Sequence, residues 1–190
     1  RPIINELTGG KPRFCRGRLT INTHHNQKLM RMHCAREDCG WQTRRYGVKD
    51  GHIHCNDFIC FFYFTDVFPS DGGLIVIPGS HKSEFERPSN LLTFDEEDGI
   101  DPQPHPVFTN ITPRAGDVVF ISELLTHGVL RWRPTDRDRR LLVLRYKPQY
   151  MGKSSFSSAI LDRLSAETLE LISSVPYHHI KDIVKQDVVT

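Results

Sequence analysis

The stretch Pro69-Ser70-Asp71-Gly72-Gly73-Leu74-Ile75-Val76-Ile77-Pro78-Gly79 decides the fold of this chain. Its four aliphatic residues stand between two breaks, too few for a helix and enough for a strand buried on both faces. The pattern recurs on either side. Upstream, residues 53–66 are rich in Phe and Ile and bounded by turn residues. Residues 18–23 read as an earlier strand, after a polar opening loop (1–17) broken by Gly9-Gly10 and Pro12. Downstream, strands are expected at 107–111, 118–122, 129–132 and, most clearly, 140–146, with the turn Pro113-Arg114-Ala115-Gly116-Asp117 before the second. Residues 24–52 carry no sustained helical period and close on the turn Lys49-Asp50-Gly51, while 83–106 read as an acidic, Pro-containing surface excursion. Only the tail, about 154–182, reads as helical. Apolar residues recur there at three- and four-residue steps over 158–164 and 165–172, with Ser165 as N-cap of the second segment. Many short strands with Gly/Pro turns, then a helical tail, predict a mainly β protein, a sandwich or barrel of jelly-roll type.

A chain of 190 residues is close to one ordinary domain, read here as a single unit over 1–190 with its β core at about 18–148. Hydrophobic residues at 38% and charged residues at 25% suffice for a packed core. Lys+Arg 25 against Asp+Glu 23 leaves a net charge of +2, and the nearest thing to a basic stripe, 131–145, is interrupted by Asp136 and Asp138. Nucleic acid is therefore not an expected partner. No apolar run approaches the roughly 18 residues of a membrane helix. The strongest, Phe58-Ile59-Cys60-Phe61-Phe62-Tyr63-Phe64, is strand-sized, so no membrane partner is expected either. The chain opens at Arg1, not Met, and is read as a processed or trimmed product.

Five cysteines (15, 34, 39, 55 and 60) in a domain of this length favour free thiols and a reducing compartment such as the cytoplasm. The equal spacing of Cys34-x4-Cys39 and Cys55-x4-Cys60 raises a zinc site, but the gap lies at the loose end of zinc spacings. Cys60 also falls in an apolar strand pattern, where a small buried hydrophobe is the simpler reading.

Ten histidines are candidates for chemistry: 24, 25, 33, 52, 54, 81, 105, 127, 178 and 179. His127 stands out, following the strand at 118–122 and preceding Gly128. Twelve residues on stands Arg139, at the mouth of the strand 140–146. On adjacent strands, the two can point into one barrel, where an imidazole binds a metal and the guanidinium forks onto a dicarboxylic acid. His178-His179 lie too near the chain end to rank.

Gly72-Gly73-Leu74-Ile75-Val76-Ile77-Pro78-Gly79-Ser80-His81-Lys82 resembles the GxLxxxPGSHK signature of the phytanoyl-CoA dioxygenase-like enzymes. Gly116-Asp117-Val118-Val119-Phe120, Thr126-His127-Gly128 and Arg139-Arg140-Leu141-Leu142-Val143-Leu144-Arg145-Tyr146 are similar to that family's closing block in order and spacing. The resemblance covers roughly 15–180. It implies a double-stranded β-helix of cupin-like type, without the family's usual N-terminal helices. It also implies Fe(II) and 2-oxoglutarate as cofactor and cosubstrate, and hydroxylation of an unactivated C–H bond in a small-molecule substrate. Under it, His127 matches the distal iron ligand and Arg139 the arginine that pairs with the far carboxylate of 2-oxoglutarate. Arg140 is a rival, since only one of the two can face inward on a strand. His81 is assigned no metal role.

The first half of the ligand set departs from the family pattern. His33, before the Phe-rich strand, matches the proximal histidine, but Ala35 stands where the family has Asp or Glu. Either Glu37 or Asp38 reaches back from the following loop, with Asp38 taken as the third ligand, or a halide takes the open position as in the radical halogenases of this superfamily, or the site has decayed into a non-catalytic binding module. His54, near His52 and Asp57, is the alternative proximal histidine. Substrate contacts are sought in 83–106 and around Trp41 and Trp132, with core packing the competing reading of Trp132. The tail helices are assigned to capping the barrel over pairing two subunits.

Overall fold

A computed structural model of the chain describes residues 2–24, 30–35, 46–83, 88, 106–152 and 155–174. Its elements are α1 (Pro2–Leu7), β1 (Pro12–Asn22), β2 (Met30–His33), β3 (Tyr46–Lys49), β4 (His52–Cys55), β5 (Phe58–Tyr63) and β6 (Gly73–Val76). A 3-10 turn (Ser80–Lys82), β7 (Thr109–Asn110), β8 (Val118–Ser122), β9 (His127–Leu130), β10 (Arg139–Pro148), α2 (Ser158–Leu161) and α3 (Ala166–Ile172) follow. Two four-stranded sheets, β1-β10-β5-β8 and β2-β9-β6-β7, and the hairpin β3-β4 give the mainly β, jelly-roll architecture expected of the sequence.

The differences lie at element edges. The opening segment is not all loop: α1 precedes β1, which starts at Pro12. The strand expected over 53–66 breaks at Asn56-Asp57, where Asp57 is buried with Lys147 Nζ 3.4 Å from its carboxylate. The strand expected over 107–111 shrinks to two residues paired with Val76 and Ile75. Asn110 ends it by donating its side-chain amide to the Gly72 and Leu74 carbonyls, at 3.0 and 3.1 Å. The excursion 83–106 lies almost wholly outside the described residues, as does the tail beyond 174.

The chain divides into two compact units. One comprises 1–17, 45–59 and 144–190; the other comprises 18–44 and 60–143. In the first, Phe14 packs edge-on against Tyr146 with ring centroids 5.7 Å apart, and Phe58 stacks on Tyr146 at the same distance. The tail helix α3 starts as the sequence indicated, with the Ser165 hydroxyl accepting from the Thr168 amide at 3.2 Å. It docks on this unit through an ion pair between Lys11 and Glu170 and a bond from Gln149 Nε2 to the Glu170 carbonyl.

The second unit carries β2-β9-β6-β7. On β6, Gly73, Leu74, Ile75 and Val76 pair with Leu130, Val129, Gly128 and His127 of β9. On the other side of β9, His33 of β2 pairs with His127. Alternation along the strands puts Met32, Ile75, Ile77 and Leu130 in one apolar cluster, backed by Phe108, on the face opposite the two histidines.

The Gly72-Gly73 pair of the deciding stretch is explained by what surrounds it. Gly72 has φ +94°, and a Cβ there would stand 1.8 Å from the Arg131 carbonyl oxygen. Asp71 pins the same turn: its carbonyl accepts from Arg133 N at 3.0 Å, and its carboxylate accepts from Phe68 N at 2.7 Å and Arg137 Nη2 at 2.5 Å. Gly72→Ala is expected to destabilise the fold by roughly 3 kcal/mol or more, because the backbone conformation and the clash act together. An unfolding free energy within about 0.5 kcal/mol of wild type, by linear extrapolation from urea, would contradict that packing.

Candidate metal centre

His33 ends β2 and His127 opens β9, and their direct register places the two rings with centroids 4.3 Å apart at 50°. His127 is 2% exposed, whereas His33 is half-buried. The two share one local device. His33 Nδ1 lies 2.9 Å from the carbonyl of Arg31, and His127 Nδ1 lies 2.7 Å from that of Leu125, in each case two residues back. A carbonyl oxygen only accepts, so each Nδ1 donates, the arrangement by which a backbone carbonyl fixes ring orientation at metal sites.

The approach to His127 is held by the Pro-Gly-Ser block. The buried Ser80 hydroxyl accepts from Thr126 N at 2.8 Å, and Ile77 N donates to the Thr126 carbonyl at 2.9 Å. The Ser80 partner lies 46 positions away, beyond any local sequence pattern. Ser80→Ala strands a buried amide and is expected to cost about 1–3 kcal/mol, read as a lowered thermal midpoint with the iron stoichiometry retained.

Ala35 follows two residues after His33, 2% exposed, its amide bonded to the Glu123 carbonyl at 2.7 Å. Asp38, Glu37 and Trp41 lie outside the described residues, and so does Cys39 of the zinc reading. Among the described residues, no three of His, Cys, Asp or Glu come together as a metal group. The described residues thus bring together the two imidazoles and no third such group. His54 and His52 lie on the exposed hairpin strand β4 and His24 is exposed with Nδ1 2.8 Å from the Arg133 carbonyl. His81 sits in the 3-10 turn, its pKa lowered by burial and then by Lys82.

Arg139 is not on a strand adjacent to His127, as the sequence reading had it. It opens β10 in the opposite sheet, because the turn at 133–138 carries the chain across. The choice between the two arginines is settled by burial: Arg139 is 3% exposed, while Arg140 points outward to Asp138 at 3.0 Å. Arg139 Nη1 donates to Asn22 Oδ1 and Nη2 to the Tyr63 hydroxyl, both at 3.2 Å. Its guanidinium carbon lies 5.6 Å from the Tyr63 ring centroid. Gly73, at φ +83°, forms the floor: a Cβ there would meet Arg139 Nε at 3.2 Å. Gly73 is three positions from Val76, the register partner of His127, a distance of about 10 Å along β6 at strand rise. Asn22 and Tyr63 were missed from sequence because their partner is 117 and 76 residues away. Trp132 is core, 1% exposed with Nε1 bonded to the Arg137 carbonyl at 2.7 Å, which removes it from the substrate-contact candidates.

The Phytanoyl-CoA dioxygenase (PhyH) family model matches residues 16–140. The chain belongs to the phytanoyl-CoA dioxygenase family. That membership places it among iron(II)- and 2-oxoglutarate-dependent oxygenase-like enzymes. No curated protein matches it. Among solved structures it is similar to HygX from Streptomyces hygroscopicus with nickel and 2-oxoglutarate bound, at 21% identity and TM-score 0.60, covering 92% of this chain and 68% of HygX. HygX with iron bound gives 22% identity and 0.60, covering 90% and 70%. AviO1 from Streptomyces viridochromogenes gives 17% and 0.52, covering 80% of this chain and 58% of AviO1. At these identities the likeness shows the fold.

The zinc reading has no support from the described thiols. Burial pushes the Cys60 thiol up to about 12, opposite to what a metal-binding thiolate requires. Cys60 is expected to resist iodoacetamide at pH 8 in the native protein and to react once unfolded, as peptide mass mapping will show. Rapid native labelling would place it nearer solvent than its strand position does.

Proposed function

We propose that this chain is an Fe(II)- and 2-oxoglutarate-dependent oxygenase that hydroxylates an unactivated C–H bond of a small organic molecule. The observation that carries the reading is the imidazole pair of His33 and His127, each with Nδ1 tied to a backbone carbonyl. These two residues would hold the iron, with Asp38 proposed as the third ligand. When bound, iron and 2-oxoglutarate supply the oxidising chemistry: O2 is consumed, 2-oxoglutarate loses CO2 to become succinate, and one oxygen atom goes to the substrate. The residues of the chain bind and orient. Arg139, buried and held by two neutral partners, pairs with the far carboxylate of 2-oxoglutarate, which an arginine fork matches in shape and charge. Gly73 leaves room for that guanidinium. The apolar inner residues Leu74 and Val76, both buried, keep water from the space between. HygX solved with hygromycin B bound supports a small-molecule substrate.

A second reading, halogenation, is favoured by one observation: Ala35 is buried and brings no carboxylate to the position two residues after His33. Anaerobic titration with Fe(II) and 2-oxoglutarate, with and without chloride, separates the two through the weak visible charge-transfer band of the ternary complex. A halide-insensitive band supports a carboxylate third ligand and hydroxylation. A band that shifts with chloride supports a halide in its place. No band under either condition overturns the oxygenase reading in favour of a binding module.

A further inference from the structure

β9 is flanked by two strands that meet it differently. Against β6 the register is regular, from Gly73 opposite Leu130 to Val76 opposite His127. Against β2 it shifts: Met30 pairs with Val129 and His33 with His127, so Arg31 and Met32 together oppose the single residue Gly128. The extra residue therefore belongs to β2, which stands at the end of the sheet order β2-β9-β6-β7. One added residue on such a strand is a β-bulge, a feature that re-aims the side chain beside it. The carbonyl of Arg31, inside the bulge, accepts from His33 Nδ1 at 2.9 Å. A regular strand does not offer that bond, because its carbonyls lie in the plane of the sheet while its side chains stand across it. His127 follows the same rule. Its ring is held by the Leu125 carbonyl, which also belongs to irregular backbone, the turn in which Leu125 N donates to the Ser122 carbonyl at 3.0 Å. The Arg31 side chain is exposed, while Met32 is buried in the apolar cluster.

We propose that the Arg31-Met32 bulge is a positioning device of the metal centre. Its main chain, through the Arg31 carbonyl, sets the ring of His33 against that of His127, and the Arg31 side chain takes no part. This rests on the metal reading of the two imidazoles above. With Nδ1 engaged by that carbonyl, Nε2 is the ring atom of His33 that meets the metal. Shortening the bulge by one residue isolates the device. Deletion of Arg31 leaves Met32 alone opposite Gly128, keeps both flanking pairs in register and keeps Met32 on its apolar face. Both imidazoles remain, and the orienting carbonyl is lost.

The test is calorimetric titration of the full chain with nickel(II), beside thermal unfolding. Deletion of Arg31 is expected to weaken nickel binding about tenfold or more, the usual cost of losing a partner that orients a metal-bound histidine, while the thermal midpoint holds or rises. Arg31→Ala keeps the carbonyl and is expected to stay within about twofold of wild type, as exposed substitutions do. Wild-type affinity in the folded deletion variant would overturn the proposal. So would an equal loss in Arg31→Ala, which would give the role to the side chain. A second measurement, on wild type, decides even where the deletion variant does not fold. With isotopically labelled histidine and an NMR-active cadmium isotope bound, scalar coupling to the metal is expected at Nε2 of His33, assigned through its backbone. Coupling at Nδ1 would overturn the proposal, since that nitrogen could not then donate to the Arg31 carbonyl. Wild-type nickel affinity in His33→Gln would instead overturn the metal reading itself, a result distinct from failure of the bulge assignment.

Discussion

His127→Ala is expected to abolish stoichiometric iron binding. The side chain is almost fully buried, its ring is fixed by the Leu125 carbonyl, and it is one of the two imidazoles that the described residues bring together. Of the proposed set, removing it leaves His33 and Asp38, and two protein ligands fall short of the three by which catalytic sites hold a divalent metal. Truncating a buried ring also costs about 2–4 kcal/mol of packing, so the iron measurement is paired with a second variant. His127→Phe keeps ring volume and removes both nitrogens. Metal analysis after anaerobic loading should find about one iron per chain in wild type and none in either variant. Full occupancy in His127→Phe, with a retained thermal transition, would reject the ligand assignment.

Arg139→Ala is expected to separate cosubstrate binding from metal binding. The truncation leaves the far carboxylate of 2-oxoglutarate facing two neutral groups in a buried site, a loss of roughly 2–5 kcal/mol, or roughly thirtyfold to several thousandfold in affinity. Iron stoichiometry should stay near wild type, because Arg139 lies in the sheet opposite β2 and β9. Arg139→Lys keeps the charge without the fork and is expected to recover part of the affinity only. Equal 2-oxoglutarate affinity in wild type and Arg139→Ala, measured by titration under nitrogen, would remove the residue from the cosubstrate site.

The two variants also test different parts of the reading. Loss of iron in one and loss of 2-oxoglutarate in the other places metal and anion at two ends of one site. Loss of both in Arg139→Ala points to general unfolding, which the thermal transition detects.

The sequence by itself determined the β architecture, because alternation and breaks are local. The run Leu74-Ile75-Val76-Ile77 between Gly72-Gly73 and Pro78-Gly79 is too short for a helix and forms β6, and Ser165 caps its helix as its position indicated. It also raised His127 and Arg139 as candidates, the first by its place between the strand at 118–122 and Gly128, the second at the mouth of the strand 140–146. Tertiary structure alone decided which side chains meet. The pairing of His33 with His127 depends on a register between strands 94 residues apart, and no periodicity within either strand encodes its partner. The same holds for Arg139: its placement across the sandwich from His127, its choice over Arg140, and its neutral partners Asn22 and Tyr63 follow from strand order and burial. Gly73 carries both lessons. In the sequence it is a strand-breaking residue; in the fold it is the space that a buried guanidinium occupies, and only packing could show that.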